Sequence, residues 1–167
     1  RGHKTMLFAL AFSPDGKQLA SSGHDVGIWL WPTTGGEGHR VVGADSTGVS
    51  ELSWSPDSKL IGAVSEDQAF RLWDTTASKR SRTESGHGPG TMAAVLSPDG
   101  KRIASAGLDQ TVRLWDSDTG AELRVLRGHT ESIFDVAFNS DGALVASASA
   151  DRRSSAISSA RMWGSGR

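Results

Sequence analysis

The tetrapeptide SPDG stands at 13–16 and again at 97–100, with SPDS at 55–58 and NSDG at 139–142, so the step is 42 residues each time. Asp25, Asp67, Asp109 and Asp151 keep that step, and so do Trp31, Trp73 and Trp115. A fixed period of this length marks stacked supersecondary units, each too small to bury its own apolar face alone. Four units, approximately 1–42, 43–84, 85–126 and 127–167, take up essentially the whole chain as one domain.

Within each unit, apolar residues alternate or form short runs bounded by Gly, Pro, Asp and Ser clusters, which is the pattern of strands joined by turns. In the third unit TMAAVLS, KRIASAG, TVRLWD and GAELRVLRG read as four successive strands. Its SPDG turn has a mechanism: Pro98 presets φ, Asp99 bonds nearby backbone and Gly100 tolerates positive φ. No helix is needed, so the fold class is all-β, and four strands per unit of this length make a propeller blade.

The pairs Gly2-His3, Gly86-His87 and Gly128-His129, with the endings Trp73-Asp74 and Trp115-Asp116, resemble the WD40-repeat (β-transducin-like) β-propeller family. The resemblance implies blades of four antiparallel strands, the four blades forming an open arc or partial propeller. It also implies a buried network in each blade, joining a His before the first strand, a Ser on the second, an Asp in the next turn and the Trp of the third. Carried over, the sets are His3, Ser21, Asp25 and Trp31, then His87, Ser105, Asp109 and Trp115, with His129, Ser147 and Asp151 in the fourth unit. Such a network satisfies buried polar atoms, because Trp donates, Ser does both, His does one at each nitrogen and Asp accepts.

Departures from the pattern are informative. The second unit has Asp45 for His and Ala63 for Ser, keeping only Asp67 and Trp73, and is expected to be the softest of the first three. The first ends Trp31-Pro32. In the fourth, Ile157 falls at the Trp position, so the expectation is that ARMW, ending at Trp163, forms the third strand behind a turn lengthened by about six residues from 152–160.

The combination of His87, Ser105 and Asp109 offers the residue types of a hydrolase triad, but a set that recurs with a Trp at fixed period is architecture before it is chemistry. Gly-Gly-Glu-Gly-His at 35–39 lacks the Lys-Ser or Lys-Thr of a phosphate loop. His3, His24, His39, His87 and His129 include no HExxH and no close pair, so neither metal nor cofactor is expected. The basic SKRSR at 78–82 and the kinase-site-like Arg152-Arg153-Ser154-Ser155 read as solvated loops. With 18 basic against 19 acidic residues, no global field favours nucleic acid or an acidic membrane. Absence of Cys removes disulfides and thiol chemistry and leaves the compartment open, with cytoplasm the expectation.

The remaining function is binding. In the resembling family the His loop and the Asp turn share one end of each blade, a face used for protein or peptide partners. There the candidates are Met6, Phe8, Met92 and Phe134 at the start of first strands, and His24, Glu66 and Leu108 beside the turn Asp. Desolvated apolar and aromatic groups are the usual anchors of such a face, although Phe8 and Phe134 also suit packing between blades. The expected function is a non-catalytic interaction scaffold, the alternatives being a hydrolase or metal-dependent enzyme on the same frame, or a regulatory segment of a larger, bacterial-type multidomain protein. Three complete blades and one lacking its outer strand read as a piece of a larger propeller whose exposed terminal blades invite self-association.

Overall fold

The computed structural model describes residues 2–24, 27–41, 48–65, 67, 69–76, 79–84, 86–87 and 90–158. These form antiparallel sheets with no helix. The first contains β1 (Leu7–Phe12), β2 (Gln18–Gly23), β3 (Ile28–Pro32) and β4 (His39–Val41), and the second β5 (Val49–Trp54), β6 (Leu60–Ser65), β7 (Phe70–Asp74) and β8 (Lys79–Glu84). The third contains β9 (Thr91–Leu96), β10 (Arg102–Gly107), β11 (Val112–Asp116) and β12 (Glu122–Leu126), and the fourth β13 (Ile133–Phe138), β14 (Leu144–Ser149) and β15 (Ser154–Ser158). Strands pair in chain order within each sheet, the meander of a propeller blade.

The first hairpin of each blade is built by the repeated tetrapeptide. Ser13 Oγ donates to Asp15 Oδ1 at 2.6 Å and accepts from the Gln18 N–H at 2.9 Å, while the Gly16 N–H closes the turn on Ser13 O at 2.9 Å. Ser55 and Ser97 repeat the arrangement, and Asn139 replaces the hydroxyl with its amide oxygen, which accepts from Leu144 N at 2.8 Å. Hydrogen bonds from these Ser hydroxyls hold the Asp15, Asp57 and Asp99 carboxyls below the usual range. Glycine supplies the left-handed residue at Gly16, Gly100 and Gly142, with φ of 70°, 72° and 69°. Ser58 occupies the same conformation at φ 61°, and its Oγ accepts from the Asp15 N–H of the preceding blade at 3.1 Å.

Three apolar clusters lie between successive sheets rather than inside them. Ala20, Ile28 and Leu30 face Ile61 and Trp73; Val64, Phe70 and Leu72 face Leu96, Ile103 and Trp115; Ala104, Val112 and Leu114 face Val136 and Val145. The inner strands β1, β5, β9 and β13 adjoin in that order. The sheets do not close into a ring but form an open arc, and the outward face of the first sheet leaves Leu10 63% and Phe12 68% exposed.

The expectation for the third strand of the fourth blade is overturned. That strand is β15, with Ile157 opposite Val145, just as Trp73 opposes Ile61 and Trp115 opposes Ile103. The turn before it is not lengthened, since Arg152 at φ 65° takes the place of Gln110 at φ 65° in the third blade. Register follows from turn geometry, and a β-branched Ile suits a strand position without needing the indole. Trp163 lies outside the described residues.

Candidate functional site

The third blade contains the most fully connected polar cluster. The Trp115 Nε1–H donates to Ser105 Oγ at 2.8 Å, Ser105 Oγ lies 2.7 Å from His87 Nε2, and His87 Nδ1 lies 2.8 Å from Asp109 Oδ1. An ionised carboxylate only accepts, so His87 carries its proton on Nδ1 and accepts the Ser105 hydroxyl at Nε2. Asp109 also accepts from the Thr111 hydroxyl at 2.8 Å and from Arg113 Nη2 at 3.1 Å. Burial raises its pKa, but the bonds from His87, Thr111 and Arg113 outweigh burial and bring it down to about 2. Arg113 reaches on to Glu122 Oε2 at 2.6 Å, tying the outer strand to the cluster.

Local sequence explains how the His loop reaches the indole. A Cβ at Gly86 would lie 2.2 Å from Trp115 Cη2, and one at Gly2 would lie 2.4 Å from Trp31 Cη2. A bare backbone is required for the loop to cross the ring at Gly2-His3 and Gly86-His87, whereas at Gly128 a Cβ would meet nothing among the described residues and glycine is favoured by a φ of 150°.

The other blades vary this plan. In the first, His3 Nε2 is 2.7 Å from Ser21 Oγ, which accepts from Trp31 Nε1 at 2.7 Å, and Asp25 lies outside the described residues. Trp29 stacks on Trp31 with centroids 5.6 Å apart and planes 18° from parallel. In the fourth, His129 bridges Asp151 Oδ2 at 2.8 Å and Ser147 Oγ at 2.9 Å. In the second, Asp67 is clamped instead by the buried Arg71, whose Nη1 donates to Oδ1 at 2.7 Å and Nη2 to Oδ2. Bonds from that guanidinium are the main cause holding the Asp67 carboxyl below its usual range. Trp73 Nε1 is buried with no hydrogen-bond partner among the described residues, because Ala63 stands where Ser21 and Ser105 supply an oxygen. Asp45 lies outside those residues.

Sequence reading missed the arginines. Arg71 and Arg113 are 42 apart, each four residues after a turn Asp and two before a blade Trp, and that spacing was a usable signal. It also missed Glu51, whose carboxylate accepts from the Ala94 N–H of the next blade at 3.0 Å. Burial, reinforced by the charge of Asp135, pushes Glu51 up to about 7.

The candidate partner residues lie at the end of the blades carrying the His loops. The Leu108 N–H donates to Gly90 O at 2.8 Å and the His24 N–H to Met6 O at 2.9 Å, so the turn after each second strand is tied to the start of the first. Met6, Phe8, Met92, Leu108 and Phe134 are all exposed there, and the Phe8 ring sits 6.1 Å from His24. Glu66 lies outside the described residues. Among the described residues, no helix is long and apolar enough to cross a membrane, and no three His, Cys, Asp or Glu side chains are grouped to hold a metal ion.

The connectivity of Ser105, His87 and Asp109 is that of a catalytic triad, but the hydroxyl is taken. Its oxygen accepts the indole proton, and Ser105 is 2% exposed, so a substrate carbonyl has no approach to Oγ. The arrangement orders loops on a rigid stack of sheets, which is the equipment of a repeat protein that presents a surface. The family model for the WD domain, G-beta repeat, matches residues 1–31, 35–74, 78–116 and 120–153, and the chain belongs to the WD40-repeat family. That family generally supplies protein-interaction scaffolds. No curated protein matches the chain.

Proposed function

We propose that this chain is a non-catalytic scaffold that binds an extended protein segment or peptide across the loop end of the arc, with Phe8, Met92, Leu108 and Phe134 as anchors and Met6 and His24 beside them. The observation that carries this reading is the shared exposure of those apolar side chains at one end of the first, third and fourth blades. Exposed aromatic and Met side chains beside a polar rim gain most when a partner desolvates them. The polar clusters beneath them have the role of holding the loops in place.

The test is selection of binders from a displayed random-peptide library on the intact chain. Phe8→Ala, Met92→Ser and Phe134→Ala are expected to weaken the selected peptides by about tenfold or more each, whereas Lys17→Ala at the opposite end leaves affinity unchanged. Equal binding by all variants would overturn the reading. Turnover of an ester or peptide substrate that disappears in Ser105→Ala would replace it with the hydrolase alternative.

A further inference from the structure

We propose that the cavity between the first hairpin turns of the second and third blades receives the guanidinium of an arginine on an extended segment of a protein partner. The cavity holds about 300 Å³ and is lined by Pro56, Asp57 and Leu60 on one side and by Asp99, Gly100 and Lys101 on the other. The repeat supplies its own template one junction further on. There Arg102, at the start of β10, donates from Nη2 to Gly142 O at 3.0 Å and lies 3.8 Å from Asp99 Oδ2, with its guanidinium 5.7 Å from the Phe138 ring centroid. One 42-residue step back, Leu60, Gly100 and Asp57 stand where Arg102, Gly142 and Asp99 stand. Because Arg102 enters its site from an extended strand, the arginine that would enter the equivalent site is assigned to an extended segment.

A Cβ at Gly142 would lie 3.2 Å from Arg102 Nη2 and 3.4 Å from Pro98 Cδ, whereas one at Gly100 would meet Pro56 Cδ at 3.4 Å and no atom of Leu60 within 4 Å. The space that the guanidinium fills at the later junction is therefore open at the earlier one. Between the first and second blades Ser58 bridges the turns instead, its hydroxyl accepting from the Asp15 N–H at 3.1 Å, and Gly100 in the same place has no side chain to do so. The open site keeps the acceptors. Asp57 Oδ1 is taken by the Ser55 hydroxyl and the Lys59 N–H, but Oδ2 faces only an exposed Lys59 ammonium at 3.9 Å, a pair worth little. Gly100 O accepts from the Ser117 hydroxyl at 2.6 Å and has a second lone pair for a guanidinium N–H. Bonds from Ser55 and Ser97 hold the Asp57 and Asp99 carboxyls below their usual range, so both are charged at neutral pH. Pro56 and Leu60 offer an apolar wall to the aliphatic stem of the entering side chain. Lys101, where the later junction has Ala143, competes with that side chain for Asp99. The cavity is at the opposite end of the blades from the loop rim, so its failure and that of the proposed peptide site are separately measurable.

The test is a nuclear magnetic resonance titration of the 167-residue chain with N-acetyl-arginine methylamide, read at the Gly100 amide and the Leu60 methyl groups. Saturable shifts centred there are expected, with the uncharged citrulline counterpart binding about tenfold more weakly. Asp57→Asn is expected to weaken the arginine probe by about the same factor, and Lys101→Ala, which reproduces the later junction, to strengthen it. Leu60→Arg supplies the chain's own guanidinium and is expected to abolish binding, whereas Lys17→Ala on the turn of the first blade leaves it unchanged. An absence of saturable shifts, equal affinity for the citrulline probe, or weaker binding in Lys101→Ala overturns the proposal. So does undiminished binding in a folded Asp57→Asn or Leu60→Arg chain. Free arginine binding more tightly than the capped probe would assign the cavity to a small molecule and overturn the choice of a protein partner.

Discussion

Ala63 is the smallest departure with the largest local effect. It leaves the Trp73 indole N–H buried and without a hydrogen-bond partner among the described residues, in the one blade where Arg71 and Asp67 replace the His-centred cluster. An unmade buried bond costs about 1–3 kcal/mol, and making one returns roughly 1 kcal/mol. Ala63→Ser is therefore expected to stabilise the chain by about 1 kcal/mol, read as a higher urea midpoint with an unchanged slope. A lower or unchanged midpoint would mean that the indole already has a partner. The missing partner of the Trp73 indole is legible in the sequence, because Ala63 interrupts an otherwise regular Ser column. The arginine clamp is not evident from the His and Ser columns, because it lies in the Arg column beside them, at Arg71 and Arg113. Glu51 was beyond reach for a different reason: its role depends on what the next blade places opposite, and no within-blade pattern encodes that.

At the level of the strand, the sequence pattern locates the four strands of the third blade, β9 to β12, but misleads at β15. The Trp column points to Trp163, whereas the backbone keeps its step and places Ile157 opposite Val145. A turn with its left-handed residue at Arg152, one step after Gln110, fixes that register more firmly than any single side chain. Between sheets, the junction of β5 with β9 is titratable. Glu51 has a folded pKa of about 7 against an ordinary 4.5, so the folded state favours its neutral form. Its stability contribution is complete below pH 4.5 and is lost as pH rises through about 7. Glu51→Gln keeps an acceptor for the Ala94 N–H without the charge. It is expected to match the wild type at pH 4 and to exceed it by roughly 1–3 kcal/mol at pH 8, measured by denaturant unfolding at both values. Equal stability at pH 8 would show that the carboxylate is solvated.

Across the whole molecule, stability is distributed as in any stack of repeats, as a sum of blade terms and contacts between neighbours. The third blade has both: sheets on either side and a polar cluster running from Trp115 to Glu122. The first and fourth have one open face, and the second lacks the His-Ser bond. Amide exchange of the monomeric chain is therefore expected to be slowest in β10, Arg102–Gly107, and faster in β2 and β14. Uniform protection of all second strands would mean that the arc opens as a single unit. The number of blades was readable from a constant step, since repetition turns one correct assignment into four, whereas the end that gathers the His loops was implied only by the family resemblance.

The indoles also differ from blade to blade in a way that light can read. Trp29 and Trp31 lie 5.6 Å apart and nearly parallel, close enough for their transition dipoles to couple, so the first blade is expected to have its own exciton signature in circular dichroism. Trp115 donates to a hydroxyl and Trp73 is buried in an apolar cluster, so their fluorescence maxima are expected to differ. The chain thus has a native optical label in each of three successive blades, and the loosening of one can be followed without attaching a dye to any of them.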